Sequence, residues 1–570
     1  MVTSAPTSPS RWPASRGRSW RAAAAASLAI LAAPGTLLAA DEDLVLRVAL
    51  DRTSSDFSLD PALAKSSAAW TILANTNRGL MAFKRANGQA GSQLVPDLAD
   101  RAPEYSRDGT RLTFHLRDDV HFASADPKVD GRRVTPKDVK ASIERMLLMD
   151  SPGKERYFVI RGAEQVNRDA RGAAGGIHID NDRGTISFDL LQADPTFEEA
   201  LALPWASVLP ADTPTYDQST SSPASAGPFY VARYRPGSAI ELRLNSDYRS
   251  PDPALPDPTF QQVDIEIGVS ANAAVSGIAG GDFDVTLASL DKNQVDAAKK
   301  RYTRNINISD STQPSTYYFF MNVKSKPFGN GHVRAAVNLA IDRGEIEKLF
   351  GGRAKATYDL IPNVLPGGQA AHGAASTVAT KANLLAAAKE IAAAKLDKAA
   401  LAQKITIWGY NIDPSPAVTQ YLKTVLTDLK FTNVTVKLLD KSRFESQLKG
   451  GKTSAQIGYY RWSAEIPDPS GMFNALKSVG PAGRVGSLNF SNFSTDAVDQ
   501  QIKAVRKLKV GTPQRALALQ NLAKTVKADQ PWVPFANDSR SDVFSARIAP
   551  GSFVYQPILG PIWTRLKPAR

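Results

Sequence analysis

Between Ile405 and Tyr460 the spacing of apolar positions changes period several times. Ile405 and Ile407 alternate with polar neighbours, the pattern of a strand. Pro416 then opens a stretch in which Val418, Tyr421, Leu422, Val425 and Leu429 recur at helical spacing. Val434, Val436 and Leu438 alternate again, Arg443 to Leu448 reads as helix, and Ile457 to Tyr460 reads as an apolar strand. Strand, helix, strand, helix, strand in so short a run predicts a parallel, doubly wound unit, and hence an α/β fold. In such sheets ligands gather beyond the carboxyl ends of the strands. Two segments are expected there as loops, Trp408-Gly409-Tyr410-Asn411 and Trp462-Ser463-Ala464-Glu465-Ile466-Pro467-Asp468-Pro469. Trp408, Tyr410, Asn411, Trp462, Glu465 and Asp468 are therefore the candidate ligand-binding residues. A carboxylate near a tryptophan is more often a solvated loop residue, so the place in the sheet carries the argument.

Elsewhere the pattern is mixed. Leu112 to Leu116 and Thr185 to Leu190 predict strands of a separate, more antiparallel region, and Pro136 to Leu148 predicts a helix capped by Thr135. Residues 364–404 are rich in Ala, Lys and Gly, and Ala382 to Leu401 reads as an exposed helix or a low-complexity spacer. Ser219 to Ser225 is a turn-rich segment suited to a crossing between lobes. No internal repeat is visible, and 570 residues are ample for roughly two to four lobes.

The N-terminal forty residues carry Arg11, Arg16, Arg18 and Arg21 without an acid, then an Ala/Leu stretch from Ala22 and a small-residue end at Leu38-Ala39-Ala40. That is the layout of a secretory signal peptide over residues 1–40, cleaved before Asp41. Pro34-Gly35 interrupts the apolar stretch, which falls short of the roughly 20 strongly apolar residues of a membrane span. The chain has no cysteine, so disulfides, thiolate zinc sites and lipid attachment at an N-terminal Cys are excluded. An exported chain with no lipid anchor points to a periplasm. The net charge of +13 invites a nucleic-acid reading, yet basic residues are scattered among acids and the densest run is Lys299-Lys300-Arg301. Without a basic-aromatic stripe or finger spacing, no nucleic-acid partner is expected.

The search for catalysis is negative. His115 and His121 would share a strand face in the alternating stretch Thr113 to Phe122, but too far apart to share a metal. Gly451-Lys452-Thr453 resembles the end of a phosphate-binding loop, but Ser446 stands where the earlier glycine belongs. No Gly-x-Ser-x-Gly, His-Glu-x-x-His or Gly-x-Gly-x-x-Gly occurs, so no catalytic residue, metal or cofactor is expected.

A series of short motifs then appears in a fixed order. Leu59-Asp60-Pro61, Gly79-Leu80, Leu94-Val95-Pro96-Asp97-Leu98-Ala99, Asp108-Gly109-Thr110 and Phe114-His115-Leu116-Arg117 lead into Gly131 to Arg145. Gly227-Pro228-Phe229, Asn245-Ser246-Asp247-Tyr248, Gly281-Asp282-Phe283-Asp284, Met321-Asn322, Val333 to Val337 and Ala340-Ile341-Asp342-Arg343 follow. Asn489-Phe490-Ser491-Asn492 and Pro531-Trp532-Val533-Pro534 close the series. In this order they resemble family 5 extracellular solute-binding proteins, the dipeptide-, oligopeptide- and nickel-type receptors of ABC importers. The resemblance implies a monomeric, two-lobed, hinged receptor of the periplasmic binding protein type with an additional third subdomain. Lobe I would comprise residues 41–66, 206–306 and 534–570, the subdomain 67–205, and lobe II 307–533. Its partners would be a peptide or peptide-like solute and an inner-membrane ABC permease. Glu465 stands where peptide-binding members carry an Asp that captures the peptide α-amino group, one methylene longer here. No histidine follows His372, which disfavours nickel or haem. Opine-like solutes, saccharides and metal chelates stay open, as does a secreted hydrolase of peptides or phosphate esters.

Overall fold

The computed structural model describes residues 44–569 apart from 52–56, 222, 370–381, 449–454, 477, 480–483 and 486–487. The expected signal segment and Gly451-Lys452-Thr453 lie outside the described residues. Among the described residues no helix is long and apolar enough to cross a membrane.

The backbone is organised around one strand, Trp532–Ser545, which is 14 residues long. Its first half pairs antiparallel with Ser315–Met321, and its second half pairs with Ile306–Thr312, from Thr312 opposite Ser539 to Ile306 opposite Ser545. On one side the sheet continues through Ile457–Ser463 and Ile405–Tyr410 to Val434–Leu439. On the other it continues through Val285–Thr286, Val45–Leu50, Gln262–Ile267 and Ala239–Leu244 to Phe229–Arg235. Two apolar cores flank the shared strand. One gathers Phe319, Phe320, Ile405, Ile407, Val418, Leu422 and Phe535, and the other Leu46, Val48, Ile240, Leu242, Val263, Phe544 and Trp563. A third core packs around Phe114, Val139, Ile143, Phe188 and Phe197, and takes in Ile466 from far along the chain.

The expected α/β unit is present. Ile405–Tyr410 lies parallel to both Val434–Leu439 and Ile457–Ser463, with the helices Ser415–Asp428 and Lys441–Leu448 between the strands in sequence. The expected antiparallel region is a sheet of Glu104–Tyr105, Arg111–His115, Thr185–Asp189 and Ile177–Asp180. The helix Pro136–Leu148 starts where the pattern put it, because the buried Asp138 carboxylate accepts the Thr135 backbone N–H at 2.8 Å and the Arg132 guanidinium at 2.7 Å.

Four local expectations are corrected. Trp408, Gly409 and Tyr410 belong to a strand, not a loop, since the parallel register runs on to Tyr410 opposite Leu439. Trp462 and Ser463 likewise stay in their strand, opposite Thr316 and Ser315, so the loop begins at Ala464. The helix expected over Ala382 to Leu401 is two helices, Leu384–Ala393 and Lys398–Leu401, separated by Lys395 at a φ of 49° and restarted by an Asp397 cap. His121 sits in a separate bridge to Arg133 beyond the strand end at His115, so the two histidines share no strand.

Candidate ligand cleft

The strand Ile457–Ser463 delivers the loop that follows it to the seam between the cores. Ala464 donates its N–H to Pro314 O at 2.9 Å, beside the chain crossing from Thr312 to Ser315. Ile466 is 5% exposed and packs with the third core, and two residues later Asp468 turns toward the helix Pro513–Asp529. The Asp468 carboxylate accepts the Ser470 N–H at 2.8 Å and two bonds from Arg515, at 2.7 and 3.1 Å. Arg515 also donates to the carbonyls of Val505 and Leu508. Both members of this ion pair are buried and their hydrogen-bonding groups are well used, so the pair fixes the loop's far end.

Glu465, between these anchors, is exposed and meets a side chain from far along the chain. Its Oε2 accepts Arg156 Nε at 3.2 Å and a terminal nitrogen of the same guanidinium at 2.5 Å. Arg156 rides on the short helix Lys154–Tyr157, which is held by the buried Tyr157 hydroxyl donating to Ala200 O at 2.7 Å. Gly153, just before it, lies so close to Trp205 that a Cβ there would meet the indole at 2.0 Å. Arg156 and Glu465 line a cleft of about 360 Å³ together with Glu155, Asp194, Thr196, Ser470, Asn474, Arg506 and Arg515.

The structure distributes the six candidates unevenly. Glu465 lines this cleft, and Asp468 lies behind it through Arg515. Trp408 is buried, with the Lys437 ammonium 3.9 Å from its ring centre. Tyr410 is buried between Phe444 and Tyr459, and burial pushes its hydroxyl up to about 12. Asn411 is exposed and donates to Asp440 at 3.0 Å, while Trp462 is half-buried against the core of Phe319, Ile405 and Phe535. Arg156, Arg515 and Glu199 did not stand out in the sequence, because the spacing of residues so far apart carries no sign of their meeting. Glu199 is fully buried, and neither carboxylate oxygen has a hydrogen-bond partner. Burial first, and then the Asp468 carboxylate, hold its pKa well above the usual carboxylate range, against the pull of Arg515 and Arg156. Among the described residues no group of three or more metal-ligating side chains comes together.

An exposed carboxylate on an anchored loop, paired to a guanidinium across a small polar cleft, is the kind of concave, partly charged site that can hold a small solute. The family model for bacterial extracellular solute-binding proteins, family 5 middle, matches residues 93–484. The chain belongs to this family. Di/tripeptide-binding protein 1 of Pseudomonas aeruginosa is 26% identical over 524 residues, covering 87% of this chain and 90% of the relative. Among solved structures, HbpA2 from Haemophilus parasuis superposes with a TM-score of 0.76 at 18% identity, over 92% of this chain and 100% of that one. MppA, a periplasmic murein tripeptide-binding protein, gives 0.75 at 19% identity, over 93% and 98%. These superpositions establish the periplasmic-binding-protein fold of this family 5 protein. Other relatives include a dipeptide-binding protein of Pseudomonas aeruginosa and a probable ABC transporter periplasmic-binding protein, SapA, of Escherichia coli.

Proposed function

We propose that this chain is the periplasmic receptor of an ABC importer. It captures a small peptide or peptide-like solute bearing a free amino group and hands it unchanged to a membrane permease. Residues 41–66, 206–306 and 534–570 would move as lobe I with the 67–205 subdomain, against 307–533, bending where the chain crosses near 312–315 and 537–539. The observation that carries the reading is the place of Glu465, on a loop anchored at both ends, with an exposed carboxylate that lines the cleft and is paired only to Arg156 among the described residues. Family membership and the peptide-binding relatives support it.

The test is calorimetric titration of the mature protein with L-alanyl-L-alanine and with its N-acetyl form, with the solution followed by mass spectrometry for products. The free dipeptide should bind at least tenfold tighter than the acetylated one, a difference of about 1.4 kcal/mol. Glu465→Gln should remove that preference. Equal binding of the two forms by the unaltered protein would end the amine-anchor reading, and release of alanine would end the receptor reading.

A further inference from the structure

Resting on the reading that Glu465 takes the solute's ammonium group, we propose that Arg156 is a built-in competitor for that carboxylate and thereby sets the cleft's affinity and selectivity for amine-bearing solutes. The guanidinium neutralises the carboxylate that a bound ammonium would use and occupies one of its two oxygens: both of its hydrogen bonds fall on Glu465 Oε2. A solute cation therefore meets an occupied anion, and its apparent affinity is reduced by the fraction of molecules in which the pair is intact.

Three features make Arg156 the exchangeable partner. Arg515, a second cleft arginine, is locked by Asp468 and two carbonyls, so it is not available to Glu465. Arg506 is exposed on the helix end after Asp496–Val505 and has no ion pair to Glu465. Arg156 itself hangs from a helix seated on Trp205 and pinned through Tyr157, so its root is fixed while its tip reaches across the seam. The pair is partly exposed, with side chains 27% and 63% accessible, so it is weak enough for a solute to break. Once displaced, the guanidinium is left in a cleft that also holds Arg506 and Arg515, with Glu155 and Asp194 as the acids nearby. The competition should therefore fall with added salt, as for any exposed pair.

The experiment measures L-alanyl-L-alanine and N-acetyl-L-alanyl-L-alanine binding to the unaltered protein, Arg156→Ala and Arg156→Gln at low and at high salt, with melting curves to establish that the variants fold. Both substitutions should tighten the free dipeptide about two- to fivefold at low salt, with a smaller gain at high salt, and leave the acetylated form unchanged. Weaker binding of the free dipeptide by both variants would overturn the proposal, because Arg156 would then be a solute contact and not a competitor. No change in either variant would also overturn it. Failure of the underlying reading looks different: the unaltered protein would then bind free and acetylated dipeptide alike.

Discussion

Asp468 and Arg515 illustrate what a buried ion pair requires: the carboxylate also caps Ser470, and the guanidinium also reaches two carbonyls. Removing one partner strands the other's charge in the protein interior. Asp468→Ala is expected to cost about 3–5 kcal/mol, read as a lowered midpoint in chemical denaturation. Combining it with Arg515→Met should cost less than the two single changes added together, because the stranded charge is gone. Glu199 behaves in the opposite sense. Its pKa is raised in the folded protein, so its contribution to stability is fully present below the ordinary value of 4.5 and is lost as the pH rises through the shifted value. Glu199→Gln has no proton to lose. The melting temperature of the unaltered protein should therefore fall relative to Glu199→Gln between pH 5 and pH 8, and parallel curves would show that Glu199 is not held neutral.

At the scale of elements, packing decides where strands end. Gly458 lies opposite Trp408, and a Cβ on it would come within 2.5 Å of the Phe320 ring and 2.8 Å of the Trp408 carbonyl oxygen. Gly458→Ala should therefore destabilise the fold by about 1–3 kcal/mol, measured by denaturant unfolding. Period alone located the parallel unit and the Pro136–Leu148 helix, since each buries one face of a regular element. It stopped the strands early, because Trp408, Tyr410 and Trp462 are kept in the sheet by their neighbours' register and not by alternation. Of the candidate cleft, Glu465 was legible through its loop and through the family resemblance. Its partner was not, because Arg156 lies 309 residues away and meets it only through tertiary packing. Asp468 was legible as a carboxylate, but its engagement by Arg515 was not.

Taken as a whole, the molecule brings Glu465, on the loop after the Ile457–Ser463 strand, against Arg156, on a short helix of the third-core region. If a solute draws the two sides together, small-angle scattering should show a smaller radius of gyration with saturating dipeptide. An unchanged radius would argue against closure. The strand Trp532–Ser545 has a further effect, on the order in which the molecule can be assembled. Phe535 stacks among Tyr317, Phe319 and Tyr459 in one core, and Phe544 lies against Phe553 in another. Strands made first, such as Val45–Leu50, must therefore wait for residues made last before either core can close. In a chain shortened to residue 530 the segments of these two cores should be protease-sensitive, while the third core, which takes nothing from this strand, should be cut more slowly. During synthesis the two flanking cores then wait for nearly the full length, and one late strand finishes both.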